Sequence, residues 1–133
     1  GVIRQIVAFT PKSWSKYGIH IVEPVLNMLP AFDEPMTFSR GGLNRLGEDT
    51  AGSLLVNWRS GVQTSFFAVG DGVSPISIRI IGTKGFKDLI FTDSFSAFKS
   101  ALEVFVEGVR NQSVVSQKSF NTLVVQLLER GAI

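Results

Sequence analysis

The spacing of apolar residues changes several times along this chain, and each change marks an element. Val2, Ile3, Ile6, Val7 and Phe9 crowd together with Arg4 and Gln5 between them, which predicts a strand from Val2 to Phe9. Thr10-Pro11-Lys12-Ser13 breaks it. The period then lengthens. Val22, Val25, Leu26 and Leu29 recur at helical spacing as one stripe, and His20, Glu23 and Asn27 share the opposite face. Pro24 is tolerated in a first turn but not deeper, so the regular helix is expected to start near Ile21 to Glu23 and to end by Pro30. Ala31 to Pro35 reads as a loop, and Thr37 to Arg40 as a short strand stopped by a Gly41-Gly42 turn.

Period two dominates the middle of the chain. Leu54, Val56 and Trp58 alternate with Leu55, Asn57 and Arg59, Ser60-Gly61 supplies a two-residue turn, and Val62, Thr64, Phe66 and Ala68 alternate with Gln63, Ser65, Phe67 and Val69. Beyond Gly70-Asp71-Gly72, the alternation of Ile76, Ile78 and Ile80 predicts another strand. Gly82-Thr83-Lys84-Gly85 turns it back through Phe86 to Phe91. Strands in sequence joined by tight turns predict an antiparallel meander. The helical period returns after Thr92-Asp93-Ser94, which offers an N-cap, with Phe95, Phe98, Leu102, Phe105 and Val109 on one stripe. Ser116 can cap a last helix carrying Phe120, Leu123, Val124, Leu127 and Leu128. The predicted class is α+β: an open, mainly antiparallel sheet with helices packed on one face. Both alternation sets of the central hairpin are partly apolar, so the second face is expected to be covered by another subunit or domain.

Composition narrows the chemistry. A chain of 133 residues, 44% hydrophobic with 11 Phe, suffices for one folded domain. Thirteen basic and 11 acidic side chains leave a net charge of +2, and no basic cluster suggests nucleic acid. There is no cysteine, so disulfides and thiol chemistry are excluded, and a single histidine excludes a multi-His zinc site within one chain. No apolar run reaches the roughly 18 residues that span a membrane, and no signal peptide is evident, which makes the cytosol the expected compartment. The start at Gly1, without Met and directly into an apolar segment, suggests part of a longer protein.

No G-x-G-x-x-G, P-loop or nucleophile elbow occurs. Asp33/Glu34 and Glu48/Asp49 read as solvated loop acids, since sequence neighbours do not converge on one substrate atom. What stands out is Ser15-Lys16-Tyr17-Gly18-Ile19-His20, which holds the only tyrosine and the only histidine, three residues apart at a helix start. On pattern alone His20 is either a structural histidine that hydrogen-bonds at the helix start or a proton-transfer group. A helix N-terminus would favour the neutral imidazole that proton transfer needs.

Tyr17-Gly18-Ile19-His20-Ile21-Val22-Glu23-Pro24-Val25-Leu26, then Gly82-Thr83-Lys84-Gly85, then Asp93-Ser94-Phe95-Ser96-Ala97-Phe98-Lys99 with Phe105-Val106-Glu107-Gly108-Val109-Arg110, resemble the C-terminal domain of the Gfo/Idh/MocA oxidoreductases over nearly the whole chain. The resemblance implies that residues 1–133 form a single domain following an N-terminal Rossmann domain that binds NAD or NADP, with no cofactor held by this chain alone. It implies a substrate such as a sugar, polyol or related hydroxy compound between the two domains, and a homo-oligomer built through the sheet face. It makes His20 the catalytic residue that meets the substrate hydroxyl as its proton leaves, with Tyr17, Lys16 and Trp14 near the substrate. Many members carry aspartate four residues before this histidine, where Lys16 stands here. A lysine cannot orient an imidazole as a carboxylate would, but it suits an acidic substrate. The alternative is a stand-alone dimeric α+β module that binds a small ligand without catalysis.

Overall fold

In the computed structural model, which describes residues 1–30, 33–46, 49–91 and 117–132, six alternating segments pair into one sheet. The strands are β1 (Ile3–Thr10), β2 (Pro35–Leu46), β3 (Asp49–Trp58), β4 (Gln63–Ala68), β5 (Ile76–Gly82) and β6 (Gly85–Phe91). Three described helices accompany them: α1 (Trp14–Tyr17), α2 (Ile19–Met28) and α3 (Gln117–Gly131). The stripe expected on Phe95 to Val109 and the Ser116 cap lie outside the described residues.

Both expected hairpins form where the turn residues place them. The β3–β4 connection is one residue longer than the two-residue turn expected on Ser60-Gly61: the Trp58 amide donates to the Val62 carbonyl at 2.9 Å, which leaves Arg59, Ser60 and Gly61 as a three-residue loop, with Gly61 in the left-handed conformation (φ 93°) that such a loop needs at its last position. Between β5 and β6 the register closes on Gly82 opposite Gly85. The simple meander, however, is broken at its centre. The strand order is β2-β3-β4-β1-β5-β6, so β1 lies between β4 and β5. It runs parallel to β4, with Ile6 opposite Thr64 and Thr10 opposite Ala68, and antiparallel to β5. Alternation specifies which face a residue takes but not which strand lies alongside. The class is therefore α+β with an open, mainly antiparallel sheet containing one parallel pair. A second difference concerns Gly41-Gly42, where β2 does not turn. It continues to Leu46 through a register shift between Gly41 and Asn44, which absorbs the glycines as a bulge.

The described helices cover one face of this sheet. Ile6 and Ala8 of β1, Leu54, Val56 and Trp58 of β3, Phe66 and Ala68 of β4, and Ile78 and Ile80 of β5 point into one core. There they meet Ile21, Val22, Val25 and Leu26 of α2 and Val124 and Leu127 of α3. The stripes predicted for α2 and α3 are thus the ones turned to the core. Trp14 anchors the helices to the sheet: its ring meets Phe66 edge-on at 6.4 Å, and its indole N–H donates to the Leu128 carbonyl at 2.9 Å. A Cβ on Gly131 would lie 2.2 Å from the Trp14 ring, so the end of α3 can pass the indole only as glycine. The carbonyls beyond are met by a cation, for Arg40 of β2 donates to the Ala132 carbonyl.

The opposite face is mixed. Gln5 donates to Gln63, Gln63 to Asn57, and Asn57 to Thr37, a row of side-chain hydrogen bonds across four strands at 2.8–3.1 Å. Phe9 and Phe67 stack on the parallel pair at 4.9 Å, and Arg79 grips Asp88 through two bonds of 2.7 and 2.8 Å.

Candidate functional site

The parallel pair decides where the site forms. Because β1 and β4 run the same way, their C-terminal ends emerge together. The Val69 amide donates to the Thr10 carbonyl at 3.1 Å, and beyond it Lys12 and Gly70 exchange two backbone hydrogen bonds of 3.0 Å. Both bridge residues adopt left-handed backbone, Lys12 at φ 66° and Gly70 at φ 62°. Lys12 is the only non-glycine with positive φ among the described residues. Such a conformation is strained for a residue with a Cβ and persists here because the bridge holds it. Gly70 has no such freedom to be anything else: a Cβ there would lie 2.9 Å from Ala51 Cβ.

From this clasp the chain enters α1. Ser13 precedes the helix, and the Tyr17 amide donates to its carbonyl at 3.0 Å. Trp14 turns inward, 3% exposed, while Lys16 turns outward and Tyr17 lies half-buried. Gly18 then takes right-handed helical angles, and the chain continues directly into α2, with the Ile21 and Val22 amides donating to the Gly18 carbonyl. Helical winding thus begins at Trp14, earlier than the expected start near Ile21 to Glu23. Pro24 is inside α2 rather than in its first turn. The apolar stripe on Val22, Val25 and Leu26 accounts for this: its burial holds the helix around the proline.

Three polar side chains then meet in series. Lys12 Nζ donates to the Tyr17 hydroxyl at 3.2 Å. The same ammonium also lies over the Tyr17 ring, 5.2 Å from its centre and within cation–π reach, so it meets both the oxygen and the π system. Tyr17 meets His20 edge-on, with ring centres 5.5 Å apart and planes at 73°. Burial pushes the His20 imidazole below its ordinary value, and the nearby Glu23 carboxylate partly opposes this. The direction matches the expected neutral imidazole. The leading cause is desolvation, whereas the sequence pointed to a helix terminus. Glu23 itself is exposed, and its carbonyl accepts from the Asn27 amide at 3.2 Å, so the polar face predicted for His20, Glu23 and Asn27 is present.

The site-bearing segment therefore gathers Tyr17 and His20 in contact and places Lys16 one helical turn before His20. Trp14 is set apart from them, with its indole committed to the core and to Leu128. Lys12 is the residue the pattern missed. In sequence it is one member of a strand-breaking tetrapeptide, and its backbone partner lies 58 positions away. Among the described residues no group of three His, Asp or Glu gathers to hold a metal, and no helix is long and apolar enough to cross a membrane.

This architecture resembles one domain of the Gfo/Idh/MocA-type inositol and sugar dehydrogenases. The apo scyllo-inositol dehydrogenase from Lactobacillus casei superposes with a TM-score of 0.61 at 17% identity, over 98% of this chain and 54% of that one. That enzyme has also been solved with bound NAD(H) and scyllo-inositol. The myo-inositol 2-dehydrogenase from Lactobacillus plantarum gives 0.63 at 12% identity, over 97% and 53%. A 3-ketoreductase from Actinomadura kijaniata, in complex with TDP-benzene and NADP in an open conformation, gives 0.57 at 12%, over 98% and 52%. The chain thus spans about half the length of the solved structures it matches. No protein-family model matches the sequence, and no curated protein does.

Proposed function

We propose that this chain is the substrate-binding and oligomerisation domain of a nicotinamide-dependent oxidoreductase acting on a sugar, polyol or related hydroxy compound. The observation that carries the reading is the Tyr17–His20 contact beside a helix-bearing sheet of dehydrogenase type. A partly buried imidazole held toward its neutral form can accept the proton of a substrate hydroxyl. Tyr17, beside it, offers a second hydrogen-bonding group to the same molecule. Lys16, where relatives of this type often carry aspartate, adds a cation and widens the substrate class toward acidic polyols.

The chain contains no G-x-G-x-x-G, so its own part in the reaction is to bind, orient and take a proton. Under this reading NAD or NADP is held by a Rossmann domain of the same protein. The mixed open face of the sheet, with its Phe9–Phe67 stack and half-buried Leu55 and Ile81, is the surface through which copies associate.

Turnover by the full-length enzyme tests the assignment. His20→Ala lowers the rate by about 10²–10⁴-fold, the loss expected for a general acid/base. An unchanged rate returns His20 to a structural role. The 133-residue chain alone oxidises no NAD(P)H, and finding that it does would overturn the proposed division of labour.

A further inference from the structure

Three groups lie in one line, Lys12 to Tyr17 to His20, and only the last two were expected at the site. Lys12 is exposed, but its backbone is fixed. Its backbone is held in a left-handed conformation by two hydrogen bonds to Gly70. That clasp sits where the two parallel strands end, so the sheet itself aims the side chain. The ammonium has only donors, so the Tyr17 oxygen must accept from it. A phenol whose oxygen accepts on one side presents its own O–H elsewhere as a donor. The hydroxyl tethered in this way also fixes the ring, and the ring packs against His20.

We propose that Lys12 is a positioning residue of this site: through its hydrogen bond it fixes the Tyr17 phenol as a donor toward a substrate oxygen and, through the ring, sets the orientation of His20. The proposal rests on the reading of the site as one that binds a hydroxy compound. It divides the labour between two side chains. His20 accepts the proton of the substrate hydroxyl, while Tyr17 donates a hydrogen bond to a substrate oxygen beside it. The orienting task that an aspartate one turn before the histidine would perform thereby passes to a residue eight positions before it. Lys12 reaches the imidazole through an aromatic ring rather than directly.

Because the chain has one tyrosine and one histidine, each ring gives a single set of NMR signals that needs no assignment by mutation. In Lys12→Met the ring signals of both Tyr17 and His20 move, while the methyl signals of the buried Ile6 and Val25 stay in place. Lys12→Arg, which keeps a donor, restores both ring signals. Tyr17→Phe, which keeps the ring but removes the oxygen, moves His20 as Lys12→Met does and also moves the Lys12 methylene signal next to Nζ. Combining the two substitutions adds nothing further to the His20 displacement. If His20 is unmoved in Lys12→Met, or the two displacements simply add, the proposal is overturned. Titration with myo-inositol separates this outcome from the functional reading. A polyol that moves neither ring when the full-length protein with NAD(P) is titrated counts against substrate binding, whereas the Lys12 coupling stands or falls on the variants alone.

Discussion

The two faces of the sheet are built from one alternating sequence yet meet different fates. On the helix side, Leu54, Val56, Phe66, Ile6, Ile78 and Ile80 are at most 5% exposed and interlock with α2 and α3. Among the described residues of this side, Trp58 and Thr64 form a polar pair closed by a 2.9 Å bond from the indole N–H to the hydroxyl. On the open side the same strands carry Gln5, Gln63, Asn57 and Thr37 bonded in a row, one stacked aromatic pair and one ion pair. The first face excludes water by shape. The second satisfies its own polar groups and remains compatible with water or with a partner. Apolar content by itself therefore does not reveal which face is sealed; how the polar atoms are satisfied does.

Adjacent phenylalanines on β4 give the sharpest way to break this contrast. Phe66→Ala, at a site with 0% exposure, destabilises the chain by about 3–5 kcal/mol in urea unfolding. Phe67→Ala, one residue on and facing the other way, costs about 1–2 kcal/mol, chiefly the aromatic pair with Phe9. Equal losses would show that both faces are sealed alike. Thr64→Val comes next. It keeps the shape but leaves the buried Trp58 indole without its acceptor, for a loss of about 1–3 kcal/mol that Thr64→Ser largely restores.

The smallest effect belongs to the site. His20 is held below its ordinary 6.5, so the unfolded chain binds its proton more readily than the folded one. The resulting contribution to stability is complete above pH 6.5 and is lost as pH falls from there through the lowered folded value. Glu23→Gln removes the opposing carboxylate and moves the His20 NMR titration further down, whereas Tyr17→Ala opens the imidazole to water and moves it up. An unmoved midpoint in Tyr17→Ala would show that Tyr17 does not shield His20.

Much of this was legible because short-range signals dominate it. Ser60-Gly61 and Thr83-Lys84 determine hairpins locally, and the Phe120 to Leu128 stripe needs only its own spacing. The polar face of His20, Glu23 and Asn27 follows from the helical period alone. Long-range choices were hidden. Nothing in the β1 pattern says that it enters between β4 and β5, and nothing around Lys12 announces Gly70 as its clasp. The place of Trp14 was hidden for a related reason. Two residues before Lys16 it reads as an aromatic beside a substrate, yet the acceptor that draws it inward is a carbonyl 114 positions away.

The insertion of β1 also sets an order in time. The β3–β4 and β5–β6 hairpins close over a few residues and can form early. Each then offers an unpaired edge that only β1 can fill, by bridging Gln5 to Gln63 across 58 positions and Ile6 to Ile80 across 74. Joining the two hairpins is therefore the step with the greatest loop-closure cost, and the strand that leads the six in sequence is the one that unites them. Until it docks, the chain presents two sticky edges, and the clasp that aims Lys12 does not yet exist.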